Sequence, residues 1–118
     1  MALPKSSRDR LRQIHRWLKA GFKTGLQTKL QFRKLTWKEQ GSCEQKGRVL
    51  VITINTATPT RWQGIDTLIH EYAHAMSWKH VNVENERDLK HDEAWGVEYA
   101  RLYTWFYDLG GAEASRKA

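Results

Sequence analysis

The chain predicts an α+β domain, and three observations carry that prediction. Apolar residues recur at three- and four-residue spacing in three separate stretches, which marks amphipathic helices. Between the first two stretches lies "RVLVITIN", a β-branched run of the kind that forms a buried strand. Finally, 118 residues of which 40% are hydrophobic and 28% charged suit one core and one domain over 1–118.

The first helix is expected over roughly 7–20. Ser6 and Asp9 form an S-x-x-D start signal, and Leu11, Ile14, Leu18 and Phe22 would face the core. Arg8, Arg12, Arg16, Lys19 and Lys23 share the same spacing on another side, so one helix carries a basic stripe with no acid among its five members. Gly21 and Gly25 punctuate the exit. In "KLQFRKLTWKEQ", Leu30/Phe32 and Leu35/Trp37 alternate around a break at Arg33–Lys34, which predicts one bulged strand or two short ones. "GSCEQKG" reads as the turn, with Cys43 in a loop, before the strand "RVLVITIN" completes a short antiparallel sheet.

Thr58 or Thr60 then caps a second helix, along which Ile65, Leu68, Ile69, Tyr72, Ala73 and Met76 repeat. "NVENERDLK" breaks the pattern as a polar loop. A last helix is expected from near His91 to Leu109, with Trp95, Tyr99, Leu102, Phe106 and Leu109 inward. Gly110–Gly111 stops it and residues 111–118 form a frayed tail.

Charge divides the chain unevenly. Residues 1–48 hold thirteen Lys/Arg against Asp9, Glu39 and Glu44, whereas residues 49–118 hold seven against ten acids. A basic half facing a polyanion such as DNA follows from that polarity, with the Arg8–Lys23 stripe as its contact surface. The competing reading is a solvated helix face. No apolar run is long enough to span a bilayer, and "MALPKSSRDR" lacks the apolar centre of a signal peptide, so a cytoplasmic location with no membrane partner is expected. A single cysteine leaves no internal disulfide and no cysteine-cage zinc ribbon.

The chemistry concentrates in "IDTLIHEYAHAMSWKH". His70, Glu71 and His74 spell H-E-x-x-H on the second helix. Four residues bring one turn over the next, so His70 and His74 can share one Zn²⁺. Glu71 is rotated about 100° from His70, beside the metal rather than on it. There it can act as general base toward a water whose pKa the ion lowers to about 7.

A third ligand has several candidates. His80 gives H-E-x-x-H-x-x-S-x-x-H, which is similar to the metzincin spacing. Ser77 stands where that clan has glycine, and no methionine follows Met76 to form its methionine turn. Glu98 would be a gluzincin-like alternative. His91 opens the last helix as "HDEAW". H-E-x-x-H, a polar loop and H-x-x-x-aromatic, preceded by "RVLVITINTATPTRWQGIDTL", together resemble the SprT-like zinc metallopeptidases, a family that includes the DNA–protein crosslink protease Spartan. The resemblance covers about 49–106. It implies a zincin-like fold, His70, His74 and His91 as Zn²⁺ ligands, Glu71 as catalytic base, and a protein or peptide substrate.

By the same resemblance an extended substrate would pair beside residues 48–55 or the preceding hairpin partner. Asp92 stands where family members often carry glycine, and the single Cys43 cannot supply the cysteine-rich zinc ribbon that many append. The alternatives are a nucleic-acid-binding module with a structural or vestigial zinc site, and a metallohydrolase acting on something other than peptides.

Overall fold

The computed structural model describes residues 3–58, 60–78 and 93–108. Helix α1 spans Lys5–Gly21, strand β1 Gln27–Arg33, β2 Gly41–Lys46 and β3 Val49–Asn55. Helix α2 follows over Arg61–Met76, then α3 over Glu93–Tyr103, which runs on into a π-helical turn at Thr104–Asp108. The predicted α+β class holds.

Helix α1 starts two residues before its expected position. Its N-cap is Pro4, without a side-chain cap bond, so the Ser6–Asp9 signal does not set the start. Asp9 instead accepts from Lys5 Nζ (2.7 Å) and Arg12 Nη1 (2.9 Å), and the Lys5 bond chiefly holds its pKa below the usual value. One helix face meets the core through Leu11, Ile14 and Leu18, all fully buried. Helix α2 keeps its expected cap: Thr60 Oγ1 accepts from Gln63 N at 3.1 Å. Gly64 lets the two helices meet closely, since a Cβ there would stand 3.1 Å from Leu11 Cδ1.

The sheet differs from expectation in two ways. Its order is β1-β3-β2, with β1 parallel to β3 and only β2 antiparallel, so the sheet is mixed rather than antiparallel. The segment expected to be a turn is β2 itself. The hairpin turn shrinks to Gly47–Arg48 between paired Lys46 and Val49, with Gly47 at φ 63°, a conformation glycine adopts without a Cβ clash. Strand propensity in Gly41–Lys46 is weak, but pairing to β3 overrides it. Cys43 is consequently buried, at 3% exposure, in the core rather than lying in a loop.

The second half of the expected bulged strand is no strand either. Residues 34–40 form a loop held by Asn55 at the end of β3, which is 4% exposed. Asn55 Oδ1 accepts from Leu35 N (3.2 Å) and Ala57 N (3.0 Å). Its Nδ2 donates to Thr36 O (3.1 Å) and Glu39 O (2.6 Å). All four hydrogen-bonding positions of the amide are used.

Leu50, Ile52 and Ile54 project from one face of β3 into the core with Ile65, Leu68, Ile69, Leu102 and Phe106. Helices α1 and α2 pack on the sheet, and α3 packs on α2. This stacking turns one side of α2 inward and leaves the other side for α3 and solvent. Among the described residues no helix is long and apolar enough to cross a membrane.

Candidate metal centre

Helix α2 determines where each motif residue points. Tyr72, one residue past Glu71, is fully buried on the core side, and its hydroxyl donates to Phe22 O at 2.7 Å. Burial raises its pKa to about 12, which keeps it a donor. With Tyr72 inward, His70 and His74 lie on the opposite, half-buried side, as a 100° step per residue requires.

Their rings stand 5.2 Å apart, centroid to centroid, at 70°. An ion at 2.0–2.1 Å from one nitrogen of each ring would sit roughly 3 Å from each centroid, so rings up to about 6 Å apart can share it. The observed separation lies inside that limit. Glu71 is 8% exposed, with Oε2 4.0 Å from His70 Nε2, so the carboxylate flanks the imidazole pair.

Two features around these residues escaped the sequence reading. The first is Gly41, at the head of β2. A Cβ there would stand 2.7 Å from both Thr53 O and Thr67 Cγ2, and 3.6 Å from Glu71 Cγ. The missing side chain is what lets β2 lie directly against α2 at Thr67, one turn before Glu71. A glycine opening a segment that reads as a turn gives no such signal.

The second is an aromatic wall from α3. Trp95 contacts both imidazoles, at 5.0 Å from His70 and 5.5 Å from His74, and donates Nε1–H to His70 O at 3.2 Å. Tyr99 stacks on Trp95 at 4.9 Å and donates its hydroxyl to Asp66 Oδ1 at 3.0 Å. Burial first, then Asp66, raises the Tyr99 pKa to about 12. Expected to face inward, Trp95 and Tyr99 are partly buried against the core cluster and there cover the histidine side of α2. Their four-residue spacing behind His91 was the available clue.

Among the described residues no group of three or more His, Cys, Asp and Glu side chains gathers as a metal cage. His91 and its rival His80 lie outside the described residues, as do Asp92 and Leu109. Glu98, the other alternative, accepts from Arg101 on its own helix at 3.0 and 3.3 Å.

The basic stripe is less uniform than its spacing suggested. Arg8 is half-buried, whereas Arg16, Lys19 and Lys23 are exposed. Arg12 bonds Asp9 and lies 5.0 Å over the Phe32 ring, so an acid does neutralise part of the row. Lys19 and Lys23 border an open recess of about 350 Å³ with Phe22 and Tyr72. Strand β3 is hydrogen-bonded on both sides, which rules out substrate pairing beside residues 49–55 and leaves β2 as the edge near Glu71.

A scan of protein-family models, a search of curated proteins and a search of solved structures each find no match to this chain.

Proposed function

We propose that this chain is a zinc-dependent metalloendopeptidase of SprT-like type, with a zincin-like arrangement, acting on protein substrates in the cytoplasm. The observation that carries this reading is the His70–His74 pair at 5.2 Å with the buried Glu71 carboxylate at its flank. His70 and His74 would hold the ion. His91, two residues before the start of α3, is the proposed third ligand, because α3 is the element whose Trp95 lies against both imidazoles. Bound zinc supplies Lewis-acid chemistry toward a peptide carbonyl.

The chain's own groups do the rest. Glu71 accepts the proton of the attacking water on its carboxylate and returns it to the leaving amine nitrogen. Gly41 lets β2 pass close to the stem of Glu71, and Trp95 with Tyr99 limits water on the other side of the histidines. The edge of β2 offers backbone groups to an extended peptide beside Glu71. The exposed cations Arg16, Lys19 and Lys23 are a second contact surface, proposed for DNA.

Glu71→Gln tests the reading. The amide keeps the shape but cannot accept the proton, so cleavage of a denatured protein should fall by about 10²-fold or more. Zinc content measured by mass spectrometry should stay at the wild-type level. Cleavage at the wild-type rate would refute the mechanism.

A further inference from the structure

Trp37 has no role in the metal centre, yet it is 86% exposed, far more than any other large apolar side chain among the described residues. Tryptophan is usually largely buried. This one does not owe its exposure to a slack loop. Glu39 N donates to Thr36 O at 3.1 Å, closing a β-turn whose two central residues are Trp37 and Lys38. Asn55 clamps both ends of that turn from inside through Thr36 O and Glu39 O. The fold therefore spends a fully satisfied buried amide on holding one indole in solvent. A backbone already held in one turn loses little freedom when the side chain at its tip binds.

The surroundings are cationic. Arg33, Lys34 and Lys38 are exposed, and Lys38 Nζ lies 5.3 Å from the Trp37 ring centroid. Lys29 shares a face of β1 with Arg33, roughly 13 Å away at strand spacing. Glu39 and Glu44 are the acids nearby in sequence.

We propose that the turn Thr36–Glu39 is a stacking finger for single-stranded nucleic acid, in which Trp37 takes an unpaired base and Arg33, Lys34 and Lys38 take the flanking phosphates. A duplex hides its base faces, so an aromatic tip gains nothing there, whereas every unpaired base offers a π-face regardless of sequence. A membrane surface fits less well, because the residues beside Trp37 at the tip are Thr36, Lys38 and Glu39, with no second apolar side chain to insert. The finger also has a definite position relative to α2. It runs into Gln40, whose Oε1 accepts from Thr67 at 3.4 Å, and into Gly41 beside Glu71. A strand held on Trp37 thus lies at the same end of the sheet as the H-E-x-x-H motif. The inference does not depend on peptidase activity.

The test is fluorescence anisotropy of a labelled oligothymidylate and of a matched duplex, with anionic phosphatidylserine vesicles as the third ligand. Trp37→Ala should weaken single-strand binding by roughly 5- to 150-fold, the fold-change one stacked base is worth, while duplex binding changes less than about twofold. Trp37→Phe should recover part of the loss. Lys34→Gln and Lys38→Gln should each flatten the slope of log affinity against log salt by about 0.7. The triple change Arg12, Arg16 and Lys19 to Gln, on α1, should lower single-strand and duplex binding alike. Its salt effects leave the Trp37 contrast in place.

An unchanged urea midpoint in Trp37→Ala shows that the fold is intact. Wild-type affinity of Trp37→Ala for the oligothymidylate would overturn the proposal, as would equal losses on strand and duplex. Binding to vesicles that depends on Trp37, with no such dependence on the oligothymidylate, would assign the finger to a membrane surface instead.

Discussion

Replacing Asn55 with alanine removes four hydrogen bonds at once, to Leu35 N, Ala57 N, Thr36 O and Glu39 O. Each is worth about 0.5–1.5 kcal/mol net, and the residue is buried, but its backbone partners are only part-buried and regain some water when released. The expected loss is therefore about 2–4 kcal/mol, toward the lower half of the simple sum. With a urea slope of about 1–3 kcal/mol per molar, the midpoint should drop by roughly 1–2 M while the slope stays constant.

Asn55→Asp separates the two halves of the clamp. Its carboxylate still accepts from Leu35 N and Ala57 N but sets an oxygen against the Thr36 and Glu39 carbonyls. Protonation restores one donor, so the folded pKa of this aspartate should exceed the unfolded value of about 3.9. A raised carboxyl pKa contributes stability that is fully present below the unfolded value and is lost as pH rises from there through the folded value. Relative to wild type, Asn55→Asp should thus be worse at pH 7 than at pH 3.5. A loss below about 0.5 kcal/mol for Asn55→Ala, or a pH-independent difference for Asn55→Asp, would refute the clamp.

The remaining predictions concern the site and the core. Gly41→Ala forces a methyl to 2.7 Å from Thr53 O and Thr67 Cγ2, so unfolding should become easier by about 1–3 kcal/mol. Adding Thr67→Ser should recover only part of that in a double-mutant cycle, because the backbone oxygen stays in place. His15, buried and bonded at 2.9 Å to Thr28 Oγ1, is held near pKa 4, mainly by burial and then by Lys19 and Arg16. Its folded pKa lies below the unfolded value of about 6.5, so the unfolded chain takes up a proton first as pH falls. Stability should be flat above pH 6.5 and decline by about 2–3 kcal/mol toward pH 4, a decline that His15→Gln should remove from the urea midpoints. His91→Ala should surrender zinc to a mild chelator while His80→Ala keeps it; the opposite result in a metal assay would favour metzincin-like geometry.

Periodicity carried the parts of this protein that local chemistry dictates. The apolar spacing of Leu11, Ile14 and Leu18, the β-branched run at 49–55 and the repeat along 61–76 each produce the expected element, because burial of one face requires that pattern whatever lies opposite. The placement of His70 and His74 together on one side of α2 was equally legible, since four residues in a helix make neighbours by geometry alone. Strand β2 was hidden for the converse reason. Gly41–Lys46 has little intrinsic preference for a strand, and only the ladder offered by β3 makes it one. Pairing between distant segments also decided that β1 runs parallel to β3, which no local pattern encodes.

Asn55 shows the same limit at a single residue. At the end of a strand it reads as an ordinary turn former, yet the tertiary fold brings it beneath residues 35–39, twenty and sixteen positions away at the Leu35 and Glu39 bonds. That contact converts an alternating apolar stretch into a rigid turn and turns Trp37 outward. Gly41 against Glu71 and Trp95 against both histidines belong to this class. Side-chain type and spacing determine what a helix face can do, but approach between elements depends on the whole core closing around them.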